Sequence, residues 1–393
     1  MKITSIKSHI LRYELDKELG YSQQYYKHRT VHLVCVETDE GITGWGECFG
    51  PGNIALVNKF IIENVINPMI LGENPINKEK IWHKIYNLLR DSGQKGMPIQ
   101  ALSGLDIALW DILGKKTKLP LYQLIGGKCN NEIAVYGYGM MLQKKSLKEL
   151  ISSFEEEAKQ IKSKNFKAIK MKIGLGPKED LELVAAVRKV LGDDYKLMVD
   201  ANHAYNTVDA LHVGKGLDDL GVYWFEEPVA PEDHEGYKEL KNKLKTNIAG
   251  GEAEFTKWGW NHLIKNRCLD IAQPEVCGLG GITEYLKVVA LAQANFIPVI
   301  NHVWGSALSI AVNIHLLIAM PDMPGGLFPA KPMLEFDTTD NNIFISDLAE
   351  EKFDIFDQVK KNNGFVKVLE GHGIGLNPNK DFIRKYEVTK QSL

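Results

Sequence analysis

Three acidic residues recur at a fixed interval in the middle of the chain, and each closes a short run of β-forming residues. Asp200, Glu226 and Glu252 are spaced 26 residues apart. One strand–helix unit of a (β/α) barrel occupies roughly 25 to 30 residues. Because the carboxyl ends of parallel strands meet at one edge of a sheet, the interval predicts that these side chains stand together at one mouth of a barrel. Helix N-caps or ordinary loop charges are the alternative interpretation.

The segment that holds these acids alternates between short β-rich runs and amphipathic helical stretches. The β-rich runs are 133–136, 168–172, 197–200, 223–226, 248–252, 271–273 and 298–300. Repeated β–α units indicate a parallel sheet, and this many units favour closure into a modified TIM-type (β/α) barrel, an α/β fold. An open, doubly wound sheet is the alternative, but no GxGxxG motif follows the first strand, which weakens a dinucleotide-binding version.

The chain divides into three regions of different pattern. Residues 1–128 begin with strand-like alternation and continue with helical spacing, which predicts an α+β module. Within it, residues 21–29 are polar and aromatic without periodicity and are expected to form a loop. Residues 129–336 are predicted to be the barrel. Residues 337–393 return to turns and short strands, and we expect them to pack on the first region as part of one capping domain.

The three clustered acids predict a metal site. Carboxylates held this close would repel one another in a partly dry site, and a divalent cation removes that repulsion. Ligation by oxygen alone favours a hard ion such as Mg²⁺. A zinc-dependent hydrolase is a third kind of barrel enzyme to consider. It would need several histidine ligands, and only His302 occupies a predicted strand end.

Two lysines share one face of the run 168–172. Residues two apart in a strand point the same way, so Lys170 and Lys172 are both predicted to enter the barrel, where an unpaired ammonium is costly. A neighbouring cation and partial burial would depress the pKa of Lys172 from its usual ~10.4. The neutral amine could then act as a base near pH 7. A solvated edge strand is the alternative.

The spacing of polar residues continues beyond the three acids. Glu275 lies 23 residues after Glu252, and His302 lies 27 after Glu275. A carboxylate commonly orients a histidine ring, so Glu275 is expected to hold His302, with the imidazole facing Lys172 across the pocket. Glu335 sits where the last strand should end, and its protonated form is expected to donate a hydrogen bond to an oxyanion. A satisfied core histidine and a loop carboxylate are the alternatives.

A basic triplet lies in the predicted N-terminal loop. Lys27, His28 and Arg29 could meet the distal carboxylate of a diacid, or they could be a solvated charge run. Trp304 is interpreted either as a substrate contact or as packing.

Charge and hydropathy limit the class of partner. The 47 basic and 50 acidic side chains leave a net charge of −3, too little basic excess for a protein that binds nucleic acid through its phosphates. The sequence has no apolar run of the roughly 20 residues that span a bilayer and no apolar signal core, so a membrane location is not expected. The five cysteines are scattered without CxxC spacing, which favours a reducing, cytoplasmic location.

Two long stretches of the chain resemble the signatures of a known family. The helix 101–115 and the segment running from 197–202 to 225–228 resemble the enolase superfamily, specifically the mandelate racemase subgroup. The resemblance covers nearly the whole chain. It implies a capping domain, built from the N- and C-terminal segments, closed over a modified barrel. It also implies an oligomer, often an octamer.

Matched motif by motif, the resemblance assigns roles to single residues. It implies that Asp200, Glu226 and Glu252, and not Glu227, are the Mg²⁺ ligands. Lys172 takes the base of the Lys-x-Lys pair, with His302 as the opposite base or acid. Lys170 and Glu335 are expected to steady an oxyanion, and Asn202 to bind substrate. One departure is Glu275, where most of the subgroup has aspartate.

The implied chemistry is Mg²⁺-dependent removal of the proton α to a carboxylate, followed by β-elimination. A small sugar acid or its lactone is the expected substrate, and ring opening of a galactaro-type hexarate lactone to a 3-deoxy-2-keto diacid is the specific hypothesis. An acid-sugar dehydratase and a racemase or epimerase of 2-hydroxy acids are alternatives within this chemistry. A catalytically silent binding protein is the alternative of another class.

Overall fold

The computed structural model describes residues 1–323, 327–339 and 342–388. An antiparallel sheet at the N-terminus is made of three strands in sequence order, β1 (Ile3–Tyr21), β2 (Gln24–Thr38) and β3 (Thr43–Cys48). A turn at residues 39–41 connects β2 to β3, and Gly41 has a positive φ of 74° there, which suits a glycine.

The first hairpin is longer than the sequence pattern suggests. Residues 21–29, predicted to be a loop, lie mostly in strand β2, and Leu19 pairs with Tyr26. Burial is incomplete on this part of the hairpin, so no hydrophobic alternation is needed there. Backbone hydrogen bonds hold it instead, and these leave no trace in side-chain periodicity.

Helices follow this sheet and cover one of its faces. They are α1 (Ile54–Phe60), a π-helical segment (Ile61–Ile66), α2 (Asn67–Ile70), α3 (Lys78–Leu89), α4 (Met97–Thr117) and α5 (Leu121–Leu124). Helix α4 lies directly against β3. A Cβ atom at Gly46 would fall 2.0 Å from the carbonyl oxygen of Gly104, so only glycine permits this approach. The N-terminal sheet and its helices share one apolar core.

Parallel strands alternate with helices in the middle of the chain. The strands are β4 (Ile133–Tyr138), β5 (Ala168–Lys172), β6 (Lys196–Asp200), β7 (Trp224–Glu226), β8 (Asn247–Gly250), β9 (Ile271–Ala272) and β10 (Met333–Asp337). The helices are α6 (Leu147–Ser163), α7 (Pro177–Leu191), α8 (Thr207–Asp219), α9 (His234–Lys243), α10 (Thr256–Lys265), α11 (Gly281–Ala294) and α12 (Ala307–Ala319). Strands β4 to β9 pair in sequence order, and β10 returns to pair with β4. The order contains no reversal of the doubly wound kind, and the predicted modified barrel is confirmed.

The barrel is irregular between β9 and β10. The predicted run 298–300 is reduced to an isolated bridge between Val299 and Ala272. The two edges are joined further on, where the Val303 amide donates to Glu335 Oε2 at 2.8 Å.

The C-terminal segment contacts both parts of the molecule. It contains α13 (Ile343–Ser346), α14 (Ile355–Lys361), β11 (Phe365–Val366) and α15 (Lys380–Tyr386). Beyond α15, Glu387 accepts from the ring of His9 in β1 at 2.9 Å, as a segment packing on the N-terminal module should. Strand β11 departs from that expectation, because it pairs antiparallel with β4 of the barrel. Residues 389–393 of the predicted segment lie outside the described residues. Within the described part of the chain, no helix combines the length and apolar character needed to cross a membrane.

Candidate active site

Three carboxylates converge at the C-terminal mouth of the barrel. Asp200 and Glu226 end neighbouring strands and are direct register partners, and Glu252 lies two residues beyond the end of β8. One oxygen from each lies within 4.8 Å of the other two, and this is the only such group found among the described residues. The 26-residue interval therefore corresponds to adjacent positions in space.

The donor set fits a hard divalent cation. All three groups offer oxygen, the ligand that Mg²⁺ prefers. Glu252 Oε2 is buried without a hydrogen-bond partner, although His302 Nε2 lies 3.2 Å away. The pKa of Glu226 is raised to about 7: burial is the largest cause, Lys170 opposes the rise, and the neighbouring acids Asp200, Glu335 and Glu252 add to it. Such mutual repulsion among buried acids is what a bound cation relieves.

Glu226 is held rigidly from two sides. Its Oε1 accepts from Lys170 Nζ at 2.7 Å, and its Oε2 accepts from Trp224 Nε1 at 3.0 Å and Gln273 Nε2 at 2.7 Å. The adjacent Glu227 is also buried, but it is not part of the convergent group.

The two lysines of β5 both point into the barrel. Lys172 Nζ lies 2.5 Å from Asp200 Oδ2 and 2.8 Å from Asn202 Oδ1. Lys170 is more deeply buried and pairs with Glu226 and with Glu335 Oε1 at 2.6 Å. The predicted depression of the Lys172 pKa depends on a neighbouring cation and stays a prediction. Burial does lower it, but the charge of Asp200 more than offsets burial and leaves the pKa of Lys172 raised.

His302 and Glu275 form the predicted dyad. His302 Nδ1 lies 2.7 Å from Glu275 Oε2, so the glutamate reaches the ring as the shorter aspartate would. This contact leaves Nε2 facing Glu252. Burial lowers the pKa of His302, but Glu252, Glu275 and Glu335 together raise it to about 10. Glu275 also accepts from the Cys277 amide at 2.7 Å.

Lys172 and His302 approach the carboxylates from different sides. Lys172 ends β5, whereas His302 follows the bridge at Val299; β6 to β9 lie between them along the sheet. Lys172 contacts Asp200 at one end of the carboxylate group, and His302 contacts Glu252 at the other. Two titratable groups therefore flank the candidate metal position.

Glu335 accepts hydrogen bonds from two donors between the edges of the barrel. The sequence predicts that, if protonated, it could donate a hydrogen bond to an oxyanion. Burial raises its pKa, but Lys170 and His302 lower it more, and the net pKa of Glu335 is below its usual range. Both oxygens act as acceptors, from Lys170 and from the Val303 amide. These contacts favour the ionised carboxylate, and donation from the protonated form stays a prediction.

A cavity of about 690 Å³ opens above these groups. Of the predicted catalytic and substrate residues, those that line it are Lys172, His302, Glu335, Asn202, Lys27, His28 and Trp304. A larger groove of about 810 Å³ lies between the first hairpin and α6, away from the carboxylates.

Arg29 does not belong to the cavity wall. Its guanidinium lies 2.7 Å from Asp337 Oδ2 and donates to Thr339 Oγ1 at 2.7 Å, and only 5% of the residue is exposed. The prediction of a substrate contact at Arg29 is corrected. The ion pair with buried Asp337 holds the Arg29 side chain inside the protein, while Lys27 and His28 line the cavity.

Tyr26 is a cavity residue that was not among the predicted site residues. Its hydroxyl is buried without a hydrogen-bond partner, and the residue lines the cavity. Tyr138, at the end of β4, lines the same cavity. Hairpin residues carry no periodic signal, so sequence alone could not separate Tyr26 from ordinary packing.

A parallel barrel with acids at its mouth and a capping domain is the architecture of the enolase superfamily. Residues 153–382 match the family described as enolase C-terminal domain-like, and residues 19–126 match the mandelate racemase / muconate lactonizing enzyme N-terminal domain. The chain belongs to the mandelate racemase subgroup of the enolase superfamily, and it is an enzyme of that class.

Three relatives illustrate the breadth of the subgroup. D-galactarolactone cycloisomerase of Agrobacterium fabrum is 35% identical over 390 residues, covering 99% of each chain. The 3,6-anhydro-D-galactonate cycloisomerase structure from Zobellia galactanivorans is 34% identical with a TM-score of 0.84, covering 99% of this chain and 100% of that one. L-talarate/galactarate dehydratase from Salmonella typhimurium, solved with Mg, is 25% identical with a TM-score of 0.82, covering 99% and 93%.

The first of these relatives agrees with a finer sequence resemblance. From the sequence we predict a resemblance to D-galactarolactone cycloisomerase in segments 200–203, 251–252, 280–281, 302–305 and 333–337, and the full-length match to that relative agrees with this prediction. The magnesium-bound relative and the convergent carboxylates together support Mg²⁺ as the cofactor.

Proposed function

We propose that the enzyme removes the proton α to the carboxylate of a sugar-acid derivative and then breaks the C–O bond at the β-carbon. The observation that carries this proposal is the placement of Lys172 and His302 on the two sides of the carboxylate group. One base removes the proton, and the opposite group serves the β-oxygen on the other side of the substrate.

Asp200, Glu226 and Glu252 would hold Mg²⁺. When bound, the ion supplies the positive charge that offsets the second negative charge developing on the substrate carboxylate, as in the superfamily generally. Lys170 fixes Glu226 and Glu335 from below and is not in the cavity wall. We therefore assign it to holding the ligand geometry, and any direct contact with an oxyanion falls to residues of the wall.

Lys172 is the proposed first base. It requires a neutral amine, and the pairing with Asp200 opposes neutrality. A cation held by the Asp200 carboxylate would remove that stabilisation and would bring the pKa of Lys172 down toward the working range. Asn202 accepts from the same Nζ and keeps the amine oriented toward the cavity. In its protonated form, His302 is placed to donate to the leaving oxygen.

Ring opening of a galactaro-type hexarate lactone is the proposed reaction. The α-proton goes to the base, its electron pair forms the new double bond, and the lactone C–O bond breaks to release a carboxylate. The resulting enol accepts a proton at the β-carbon and becomes a 3-deoxy-2-keto diacid, so the reaction is an isomerisation. Lys27 and His28 in the cavity wall would meet the second carboxylate. The D-galactarolactone cycloisomerase relative supports this choice.

Dehydration of an acid sugar is the second candidate. It uses the same first step, but the departing β-oxygen is a hydroxyl and leaves as water after protonation. The talarate/galactarate dehydratase relative favours it. Racemisation or epimerisation would follow if the opposite group returned the proton to the α-carbon instead.

The test is incubation of the enzyme and Mg²⁺ with hexarates, their lactones and 3,6-anhydrogalactonate. We expect a 2-keto-3-deoxy product from a lactone, with none after Mg²⁺ is chelated or in Lys172→Ala and His302→Ala variants. A hydroxy acid converted faster than every lactone would identify a dehydratase. Exchange of the α-proton in D₂O without elimination would identify an epimerase. Unchanged ligand affinity in both variants, with no turnover, would indicate a silent binding protein.

A further inference from the structure

Each residue of the His302–Glu275 dyad lies on a loop that leads into a barrel helix. Helix α12 begins five residues after His302, and α11 begins six residues after Glu275. The first turns of both helices are buried. Amide groups at a helix N-terminus need acceptors, and a buried terminus without them is unstable. For both helices, carboxylates of the capping domain supply acceptors.

Glu47 of β3 serves the first turn of α12. Its carboxylate accepts from the Ser306 amide at 3.0 Å, the Ser306 hydroxyl at 2.6 Å and the Ser309 amide at 3.2 Å. A Cβ atom at Gly305 would lie 2.6 Å from Glu47 Oε1, so the absence of a side chain there admits the carboxylate. Glu47 thus holds the loop that carries His302 from the side of the capping domain.

Asp106 of α4 serves the first turn of α11 in the same way. Its Oδ2 accepts from the Thr283 amide at 2.8 Å. One turn earlier in α4, the Ser103 hydroxyl accepts from the Gly280 amide at 2.8 Å. Asp106 and Ser103 therefore hold the end of the loop that begins at Glu275.

The two carboxylates sit on one compact unit. Asp106 belongs to α4 and Glu47 to β3, and the Gly46–Gly104 approach brings these two elements into backbone contact. Immediately after β3, the Phe49 amide donates to the Cys277 carbonyl at 2.8 Å, and the Phe49 ring packs edge-on against His302, with centroids 5.8 Å apart.

We propose that Glu47 and Asp106 are positioning residues that hold His302 and Glu275 in register through the helices following each loop. This inference rests on the proposed function for its kinetic consequence. It gives the capping domain a task besides covering the cavity, because the dyad would be assembled only when the cap is docked.

The hydrogen bonds of Glu47 and Asp106 hold the loops firmly because both carboxylates are completely buried. Both carboxylates are desolvated, and burial raises the pKa of Glu47 and of Asp106 to about 7 in each case. A buried acid retains its position when its donors are fixed, and here the donors are helix N-terminal amides with positive dipole ends. Replacing such a carboxylate by an amide removes the negative charge that these amides face and leaves one oxygen position unable to accept, which lets the loop shift.

The test compares Glu47→Gln and Asp106→Asn with a matched control, Asp218→Asn. Asp218 also accepts from a backbone turn, the Lys245 amide at 3.0 Å and the Thr246 amide at 2.7 Å, but it lies at the opposite end of the barrel. We expect kcat to fall about 10- to 100-fold in the first two variants, with KM changed less than about threefold. The control should lose stability while retaining kcat.

A second readout does not depend on the substrate. The ring Nδ1 proton shared by His302 and Glu275 should give a downfield NMR resonance in the Mg²⁺-loaded enzyme. It should broaden or move in the Glu47 and Asp106 variants and stay in place in the control. Unchanged kcat together with an unchanged resonance in folded variants would overturn the proposal. If the wild-type enzyme turned over no compound, the proposed function would fail. The NMR resonance would still show whether Glu47 and Asp106 position His302 and Glu275.

A second variant tests the proposal if the first one does not fold. Should Glu47→Gln not fold, Gly305→Ala pushes the Glu47 carboxylate away by steric contact and leaves every hydrogen-bonding group in place. The same loss of kcat and the same change in the His302 resonance are expected. A Gly305→Ala enzyme with wild-type values of both would count against the proposal.

Discussion

Lys172 Nζ and Asp200 Oδ2 lie 2.5 Å apart at the ends of two adjacent, register-matched strands. The proposed base and a proposed metal ligand therefore share one carboxylate. The ammonium form of Lys172 and a bound cation compete for the same carboxylate, so each is favoured when the other is absent. The protonation of Lys172 and the binding of the cation are therefore coupled through Asp200.

The coupling predicts the effect of removing the lysine charge. Lys172→Met should abolish turnover and bind Mg²⁺ more tightly, by roughly 3- to 10-fold, because Asp200 no longer has an ammonium partner. Isothermal titration calorimetry of Mg²⁺ measures the change. Lys196→Met, at the other end of the strand that carries Asp200, is the control and should leave affinity unchanged. Weaker Mg²⁺ binding in Lys172→Met would contradict the coupling.

Tyr26 should contribute to substrate binding through its unpartnered hydroxyl. Tyr26→Phe is expected to raise KM about 5- to 10-fold, since one hydrogen bond to the substrate is lost, with a smaller effect on stability. The control is Tyr21→Phe, whose hydroxyl accepts from Gln24 at 2.9 Å within the hairpin. Steady-state kinetics on the best compound of the panel distinguish them. Equal KM values in the two variants would refute the assignment.

Arg29 should matter for stability and not for substrate selection. Arg29→Met leaves the buried Asp337 charge unpaired and is expected to cost about 3 to 5 kcal/mol of unfolding free energy. Urea unfolding measures this. Lys27→Met, at an exposed neighbouring position, should leave stability unchanged and raise KM for a diacid. A stable Arg29→Met enzyme with a selectively raised KM would restore Arg29 to the substrate site.

His32 should make the enzyme sensitive to acid. It is fully buried with both ring nitrogens unpartnered, and burial, with help from Lys59 and His9, lowers its pKa to about 3. The unfolded chain, with an ordinary histidine pKa near 6.5, then binds more protons than the native state. Stability from neutral His32 is complete above pH ~6.5 and is lost as pH falls toward 3, by at most ~1.4 kcal/mol per pH unit.

The variant His32→Leu tests this assignment. Its unfolding free energy should be close to wild type at pH 7, because no hydrogen bond is lost, and higher than wild type at pH 5. Urea unfolding at both values measures the difference, with exposed His212→Leu as the control. Parallel pH profiles for wild type and His32→Leu would show that another group governs acid unfolding.

The barrel and the residues at its mouth could be predicted from the sequence because both depend on a repeated pattern. Strand ends that recur every 26 residues lie side by side when the strands are parallel and adjacent. The sequence alone therefore predicts that Asp200 and Glu226 are neighbours, as the strand register confirms. His302 followed from the continued spacing of strand ends, and Lys172 followed from the alternation of side chains along its own strand. The assignment of each residue to a role stays a prediction until variants are measured.

Features that depend on a single contact between residues far apart in the sequence could not be predicted from the sequence. The Arg29 side chain points into the protein because it forms an ion pair with Asp337, which is 308 residues away in the sequence. Nothing in the sequence near either residue predicts this pair. Glu47 contacts Ser306 across 259 residues, and nothing in the short strand that holds Glu47 indicates this partner. The pKa of Lys172 depends on a 2.5 Å approach to Asp200, which strand arithmetic cannot resolve.

The contact between His9 and Glu387 joins residues 378 positions apart. A ribosome adding roughly 5 to 20 residues per second needs tens of seconds to travel that distance. During that interval the first strand has no partner on the side where Glu387 will lie, while every strand of the barrel is being made. Completion of the cap therefore has to wait until residue 387 has been made, and slowed translation of the C-terminal segment would prolong exposure of the newly made N-terminal sheet.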